Sequence, residues 1–390
     1  MTPRRGTPDG RLDVDALIGD RATRIIVCCG SGGVGKTTTA AALGLRAAEQ
    51  GRQVVVLTID PARRLAQSMG LERLDNSPRT VKGVDETAGG RLDAMMLDMK
   101  RTFDEVVEAH ADPVKAQQIL DNPFYQALSS SFAGTQEYMA MEKLGQLRAR
   151  ADADGTWDLI VVDTPPSRSA LDFLDAPTRL GSFLDGRFIR LLSAPAKAGG
   201  RAYLKVFSAG VNLVTHTMTR LLGAQVLTDV QTFVAALDTM FGGFRERADA
   251  TYRLLKASGT SFLVVAAPEP DALREASFFV DRLSQDAMPL SGLVLNRVHP
   301  AGTTPISGQR ALAGAEQLAD AKEHTLTAQL LRLHAEREQV AERENALAKR
   351  FTAAHPDIPV ARVPTCAEDV HDLDGLREVG QGLAGRNVAG

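Results

Sequence analysis

Seven short apolar runs recur along the chain: RIIVCC (24–29), RQVVVLTID (52–60), RLDAMMLD (91–98), WDLIVVD (157–163), SFLVVAAP (261–268), LSGLVLNRV (290–298) and IPVARVP (358–364). Several are apolar at every position rather than at alternate ones. Continuous β-branched runs separated by helical segments predict parallel strands covered on both faces. The expected fold class is therefore α/β, a doubly wound and mostly parallel sheet. Two stretches break the alternation. Residues 100–150 and 167–256 carry helical patterns with no convincing strand between them, and Pro195 with Gly199-Gly200 divides the second. Together they predict one helical subdomain inserted into the sheet domain. Further on, Leu326, Leu330, Leu333, Val340, Leu347 and Phe351 recur at heptad-like intervals, with Arg337 and Glu344 in the same seam. That spacing predicts an amphipathic helix over 316–351 lying on the domain, after a loop at 300–308.

Composition narrows the class without naming a chemistry. The 390 residues are 44% hydrophobic and 24% charged, ordinary globular usage that excludes a disordered or fibrous chain. Lys+Arg 45 against Asp+Glu 48 gives a net charge of -3, which counts against a dedicated nucleic-acid binder. Three cysteines, two of them adjacent as Cys28 and Cys29, cannot build a disulfide framework and point to a reducing compartment. No apolar h-region follows the N-terminal arginines, and no apolar run reaches the roughly 18 residues of a spanning helix. The expected location is cytoplasmic, with membranes touched only peripherally through a partner or an interfacial helix.

The chemistry enters at Gly30-Ser31-Gly32-Gly33-Val34-Gly35-Lys36-Thr37, which satisfies G-x-x-x-x-G-K-[ST] between the first apolar run and a helix beginning TTTAAALGLRAAEQ. That strand–loop–helix context is what the phosphate-binding motif requires. The glycines let backbone N–H groups curl round a phosphate, Lys36 offers its ammonium to the β- and γ-phosphates, and the Thr37 hydroxyl is a Mg²⁺ ligand. The binding set over this loop is Gly30, Gly32, Gly33, Val34, Gly35, Lys36, Thr37 and Thr38. Asp163 ends the run WDLIVVD, where a carboxylate would hold Mg²⁺ directly or through water, and Asp60 ends RQVVVLTID. Both acids are thereby expected at the carboxyl edge of the sheet beside the loop.

The loop, TIDPARRL (58–65), VVDTPP (161–166), APEPDALREASFFVDRL (267–283), VLNRV (294–298) and VPTCAEDVHDLDGL (363–376) occur in an order that resembles the ArsA/Get3 family over roughly residues 22–380. That family contains the arsenite-pump ATPase and the eukaryotic ATPase that targets tail-anchored membrane proteins. The resemblance implies ATP and Mg²⁺ as cofactors, catalytic roles for Asp60, Lys36 and Asp163, and a dimer. It makes Asp60 the acid that orients the attacking water. It places Asn296 and the turn Pro364-Thr365-Cys366 against adenine, and an Asn amide offers both donor and acceptor to that edge. A guanine-reading N-K-x-D is absent, since the stretch reads Asn296-Arg297-Val298-His299. The expected organisation is an N-terminal extension (1–21), an ATPase domain (22–380) and a C-terminal tail (381–390).

The chain also departs from the family. Ser31 stands where relatives carry a signature lysine that reaches the partner's nucleotide in the dimer. Arg63, Arg64 and Arg168 are cations gained near the two switches; either one of them replaces the lost lysine or all three are solvated. Cys28, Cys29 and Cys366 lack the spacing of a soft-metal site, so neither zinc nor an iron–sulfur cluster is expected. Residues 179–228 carry seven basic residues, one acid and an early apolar cluster including Phe183, Phe188 and Leu191. This is either a surface for a hydrophobic client or membrane-associated partner, or a core-facing helix with solvated cations. The resulting reading is an ATP-hydrolysing switch that moves its helical subdomain in a homodimer, or in a heterodimer with a paralogous ATPase subunit. A weakly hydrolysing regulatory subunit and a ParA/MinD-like positioning protein are the alternatives; the acidic balance counts against the second.

Overall fold

The computed structural model of the chain describes residues 7, 10–59, 64–122, 125–126, 135–165, 246–300, 306–320 and 324–386. Asp60, Arg63, the Arg64 side chain, Arg168 and the whole of 179–228 lie outside the described residues. Two compact units are present, one drawn from residues 1–96, 151–170 and 255–390 and the other from 97–150 and 171–254.

The first unit is built on an eight-stranded sheet in the order β3-β4-β2-β5-β1-β6-β7-β8. Its strands are β1 (Ile25–Cys29), β2 (Gln53–Thr58), β3 (Arg79–Thr80), β4 (Arg91–Met96), β5 (Leu159–Asp163), β6 (Thr260–Ala266), β7 (Leu290–Val298) and β8 (Val360–Pro364). All pair in parallel except the two-residue edge strand β3. Every apolar run became a strand, and β1, β5 and β6 are buried along their whole length, as parallel strands covered on both faces must be. Among the described residues only β3 went unread: Arg79 and Thr80 are exposed, so no apolar signal marks them.

The helices of this unit are α1 (Val14–Gly19), α2 (Lys36–Glu49), α3 (Arg64–Ser68), α7 (Pro270–Gln285), α8 (Gly308–Asp320), α9 (Thr325–Ala354) and α10 (Leu373–Leu383). Between α3 and α7 in chain order come α4 (Met99–His110), α5 (Pro113–Leu120) and α6 (Thr135–Asp154). Helix α2 lies close on the sheet because its inner face is small. A Cβ on Gly44 would meet Val56 at 2.5 Å, and Ala40, Ala41, Ala47 and Ala48 are fully buried beside it.

The N-terminal stretch is part of this core. Leu12, Leu17 and Ile18 are buried, and Leu12 N donates to Val360 O (3.2 Å) while Val360 N donates to Gly10 O (3.0 Å), continuing the sheet past β8. Arg52, immediately before β2, fixes α1 from below. Its guanidinium is buried and donates to the carbonyls of Ile18 (2.7 Å), Asp20 (3.1 Å), Thr23 (2.8 Å) and Asp158 (2.8 Å) and to the Asp158 carboxylate (2.8 Å). One side chain thus joins α1 to the amino ends of β1, β2 and β5.

The amphipathic segment differs from its expected form. Instead of one helix over 316–351 there is a hairpin, α8 and α9, turned at His324, whose φ of 53° is left-handed. The heptad seam does not face the protein along its first half: Leu326, Leu330, Leu333 and Val340 are 69, 56, 52 and 42% exposed. The small face packs instead. Ala328, Ala335, Ala341 and Ala348 are buried, and Gly308 lies near enough to Ala335 that an added Cβ would sit 3.4 Å from its carbonyl. Close helix approach, which alanine and glycine permit, prevailed over leucine burial.

In the second unit α4 is capped by Asp98, which accepts from Arg101 N (2.9 Å), and α5 begins on Pro113 with Asp112 accepting from Lys115 N (3.1 Å). Tyr125 donates to the Asp104 carboxylate at 2.6 Å, and burial, reinforced by this bond, pushes its hydroxyl well above the usual phenol range. Arg247 pairs with buried Glu142 (3.0 Å) and Lys143 with Glu105 (3.0 Å).

Candidate nucleotide site

The site grows from the carboxyl end of β1. Gly30 turns the chain at φ 151°, and a Cβ there would stand 2.1 Å from Val265 O on β6, so only glycine fits. Gly33 (φ 76°) and Gly35 (φ 92°) are also left-handed, and Gly35 is the N-cap of α2. No side chain among the described residues caps this helix, so its first N–H groups and the positive end of its dipole are left for an anion. Lys36 opens the helix and is 6% exposed; its ammonium donates to Ser31 O at 2.7 Å, folded back along the loop. The Ser31 hydroxyl is enclosed and makes no hydrogen bond among the described residues.

Asp163 sits level with Thr58 on β2 and Cys28 on β1, fully buried at the end of β5. One of its carboxylate oxygens accepts from Thr37 Oγ1 (2.7 Å) and from Thr58 Oγ1 (2.8 Å). The hydroxyl and the carboxylate named as Mg²⁺ ligands are thus in direct contact, and a hard oxygen pair is the donor set this cation takes. The residues present fit the ion, and the glycine cradle, which a Cβ would fill at Gly30, fits a phosphate.

A cavity of about 550 Å³ opens above Gly35, Thr37 and Thr38 and extends past Asn296 to the turn Pro364, Thr365 and Cys366. Segments some 260 to 330 residues apart in the sequence thus line one cavity. Asn296 is 7% exposed, and its Nδ2 donates to Val34 O at 2.9 Å, so one of its two N–H donors braces the phosphate loop. This bracing role had no local sequence signal. It is read in space, from the 2.2 Å that would separate a Gly35 Cβ from Asn296 Nδ2. The wall beyond Cys366 carries Glu368, Asp369 and His371, also unforeseen.

The cysteines divide by environment. Burial pushes the Cys29 thiol up to about 12 and raises Cys28 well above its ordinary value, the latter helped by the nearby Asp163 charge. Cys366 is half-buried and raised less, by burial and then by Glu378. Alkylation of the folded protein is accordingly expected to modify Cys366 and spare both strand thiols. Peptide mapping after iodoacetamide treatment checks this, and early modification of Cys28 or Cys29 would contradict their placement. No helix among the described residues is long and apolar enough to cross a membrane.

Comparison with known proteins places this geometry. The family described as "Anion-transporting ATPase" matches residues 23–310. The chain is 25% identical over 269 residues to an "ATPase ASNA1 homolog" of Cryptosporidium parvum (strain Iowa II), covering 69% of this chain and 63% of that protein, under two thirds of its length. It is 25% identical over 291 residues to "ATPase GET3" of Ajellomyces dermatitidis (strain ER-3 / ATCC MYA-2586), covering 72% of this chain and 75% of that one. A third relative, "ATPase GET3" of Malassezia globosa (strain ATCC MYA-4612 / CBS 7966), is 24% identical over 285 residues.

Proposed function

Because the chain belongs to the anion-transporting ATPase family, we propose that it binds ATP with Mg²⁺ in the cavity above α2 and hydrolyses it, using nucleotide state to move its helical segments within a dimer. The observation that carries the reading is the Thr37–Asp163 contact of 2.7 Å at the mouth of an uncapped helix, beneath a cavity closed by Asn296 and the 364–366 turn. Thr37 and Asp163 would hold the cation, whose contribution when bound is to neutralise charge on the phosphates. Backbone N–H groups of residues 33–38 would receive the phosphates, Lys36 would turn from Ser31 toward them, and Asn296 would keep the loop in shape from behind. The 364–366 turn would bound the base.

Asp60, two residues beyond the end of β2, is assigned the water-orienting role. Asp60→Asn is expected to keep ATP affinity while lowering turnover on the order of a hundredfold or more, since a positioned base supplies 10² to 10⁴. Calorimetric titration beside a phosphate-release assay separates the two effects; a variant with full turnover would move that role to another residue. A second reading rests on Ser31, whose short side chain offers no cation to a partner's nucleotide. In it the chain is the weakly hydrolysing subunit of a heterodimer. Slow turnover by the pure chain, raised by a paralogous subunit, would favour it. The sequence stretch 179–228 is proposed to receive a hydrophobic client or membrane-associated partner; deletion of that stretch with client binding intact would refute the assignment.

A further inference from the structure

Consecutive residues of a β-strand face opposite sides of the sheet, yet Asn296 and Arg297 at the end of β7 both line the cavity. The register explains how. Leu295 pairs with Arg362 and Val298 with Pro364, so β7 takes three steps where β8 takes two. Arg297 sits within this irregularity at φ 60°, a left-handed conformation that a non-glycine residue adopts at a cost and that tends to mark functional positions. A bulge of this kind re-aims side chains beside a site. Asn296 reaches inward to Val34, whereas Arg297 stays exposed and forms no ion pair among the described residues.

The two ends of the cavity differ in chemistry. Thr37, Thr38 and the first turn of α2 form the end that attracts phosphate. At the other end Glu368 and Asp369 carry charges that repel phosphate, while Pro364 and Val370 present apolar surface suited to a flat heterocycle. Arg297 adjoins this second end, because Thr365 N donates to Val298 O at 3.0 Å and ties the turn to its strand.

We propose that Arg297 is the nucleobase platform of this site, its guanidinium plane stacking on the base of a bound purine nucleotide while the left-handed backbone presents it. This rests on the nucleotide reading above. Guanidinium is planar and weakly hydrated, so it stacks where an ammonium does not. The charge is thereby spent on the base, away from the phosphates.

The test titrates the full chain calorimetrically with ATP and with inorganic tripolyphosphate, each with Mg²⁺, for wild type, R297A, R297G, R297K and K36A. Loss of one base–side-chain stack is expected to weaken ATP about tenfold in R297A and R297G and to leave tripolyphosphate affinity unchanged. R297K should fall between. R297G should also melt at a higher temperature than wild type, because glycine removes the left-handed strain. Affinity and stability would then move in opposite directions, which a purely structural arginine would not produce. Wild-type ATP affinity in R297A overturns the proposal, as does a parallel loss of ATP and tripolyphosphate, which would make Arg297 a phosphate contact. A lower melting temperature in R297G together with lost affinity overturns it as well. The nucleotide reading fails separately, if wild type binds neither ligand or if K36A binds both as tightly as wild type does.

Discussion

Arg52→Met is expected to lower the unfolding free energy of the sheet unit by about 3–5 kcal/mol, the range seen when one partner of a buried charged cluster is removed. The magnitude can be assembled from the contacts. Arg52 is 1% exposed and uses its guanidinium on four backbone carbonyls and one carboxylate. Methionine fills most of the volume but donates nothing, so the carbonyls of Ile18, Asp20, Thr23 and Asp158 lose this donor at the lower edge of the sheet. A buried acceptor left without a partner costs roughly 1–3 kcal/mol. The Asp158 carboxylate adds less, since its side chain is 23% exposed and Arg21 also pairs with it. Arg52→Lys should recover part of the loss, because an ammonium has three donors for five acceptor contacts. Urea unfolding monitored at Trp157, which is buried beside β5, reads the change. A penalty below about 1 kcal/mol for Arg52→Met would show that water replaces the guanidinium at little cost.

Arg52 also marks where sequence reading stops. As the first letter of RQVVVLTID it looks like any polar residue flanking a strand, and its role depends on three segments that converge only in space. The central strands β1, β5 and β6 were legible because each is buried on both faces, which leaves an uninterrupted apolar run and needs no partner to be recognised. Strand order was not legible, because each run is compatible with any neighbour. The backbone turn of the glycine loop was readable, since its glycines are demanded by local geometry at Gly30, Gly33 and Gly35. The resemblance implied a base contact for Asn296, whereas its bond to Val34, which links positions 262 residues apart, was not legible at all. The α8–α9 hairpin shows the opposite failure. A periodic leucine seam is the stronger local signal, yet the alanine face is the one that packs, because the depth to which a helix settles depends on its neighbour and not on its own pattern.

Lys36→Ala is expected to reduce ATP turnover on the order of 10²–10³, the cost of deleting one preorganised charge-stabilising donor from a site of this kind. Three features make this the cleanest test of the site. The ammonium is nearly enclosed at 6% exposure, so its attraction to a phosphate is screened less than that of a surface lysine. Its bond to Ser31 O is to a neutral acceptor, which a phosphate oxygen can displace with a stronger, charge-assisted bond. Removing it leaves the Thr37 and Thr58 bonds to Asp163 in place, whereas truncating Asp163 would take away the acceptor of both bonds and confuse lost chemistry with lost stability. The apo variant should therefore melt like wild type while losing its response to nucleotide. Wild type at a free ATP concentration 100 times its Kd gains about 2.7 kcal/mol of stability by mass action. Lys36→Ala at that same concentration should gain far less. Turnover within a few-fold of wild type would place the transferred phosphate away from the α2 amino terminus. Normal turnover together with a full nucleotide-dependent rise in melting temperature would leave the helix end and the glycine loop as the whole of the phosphate site.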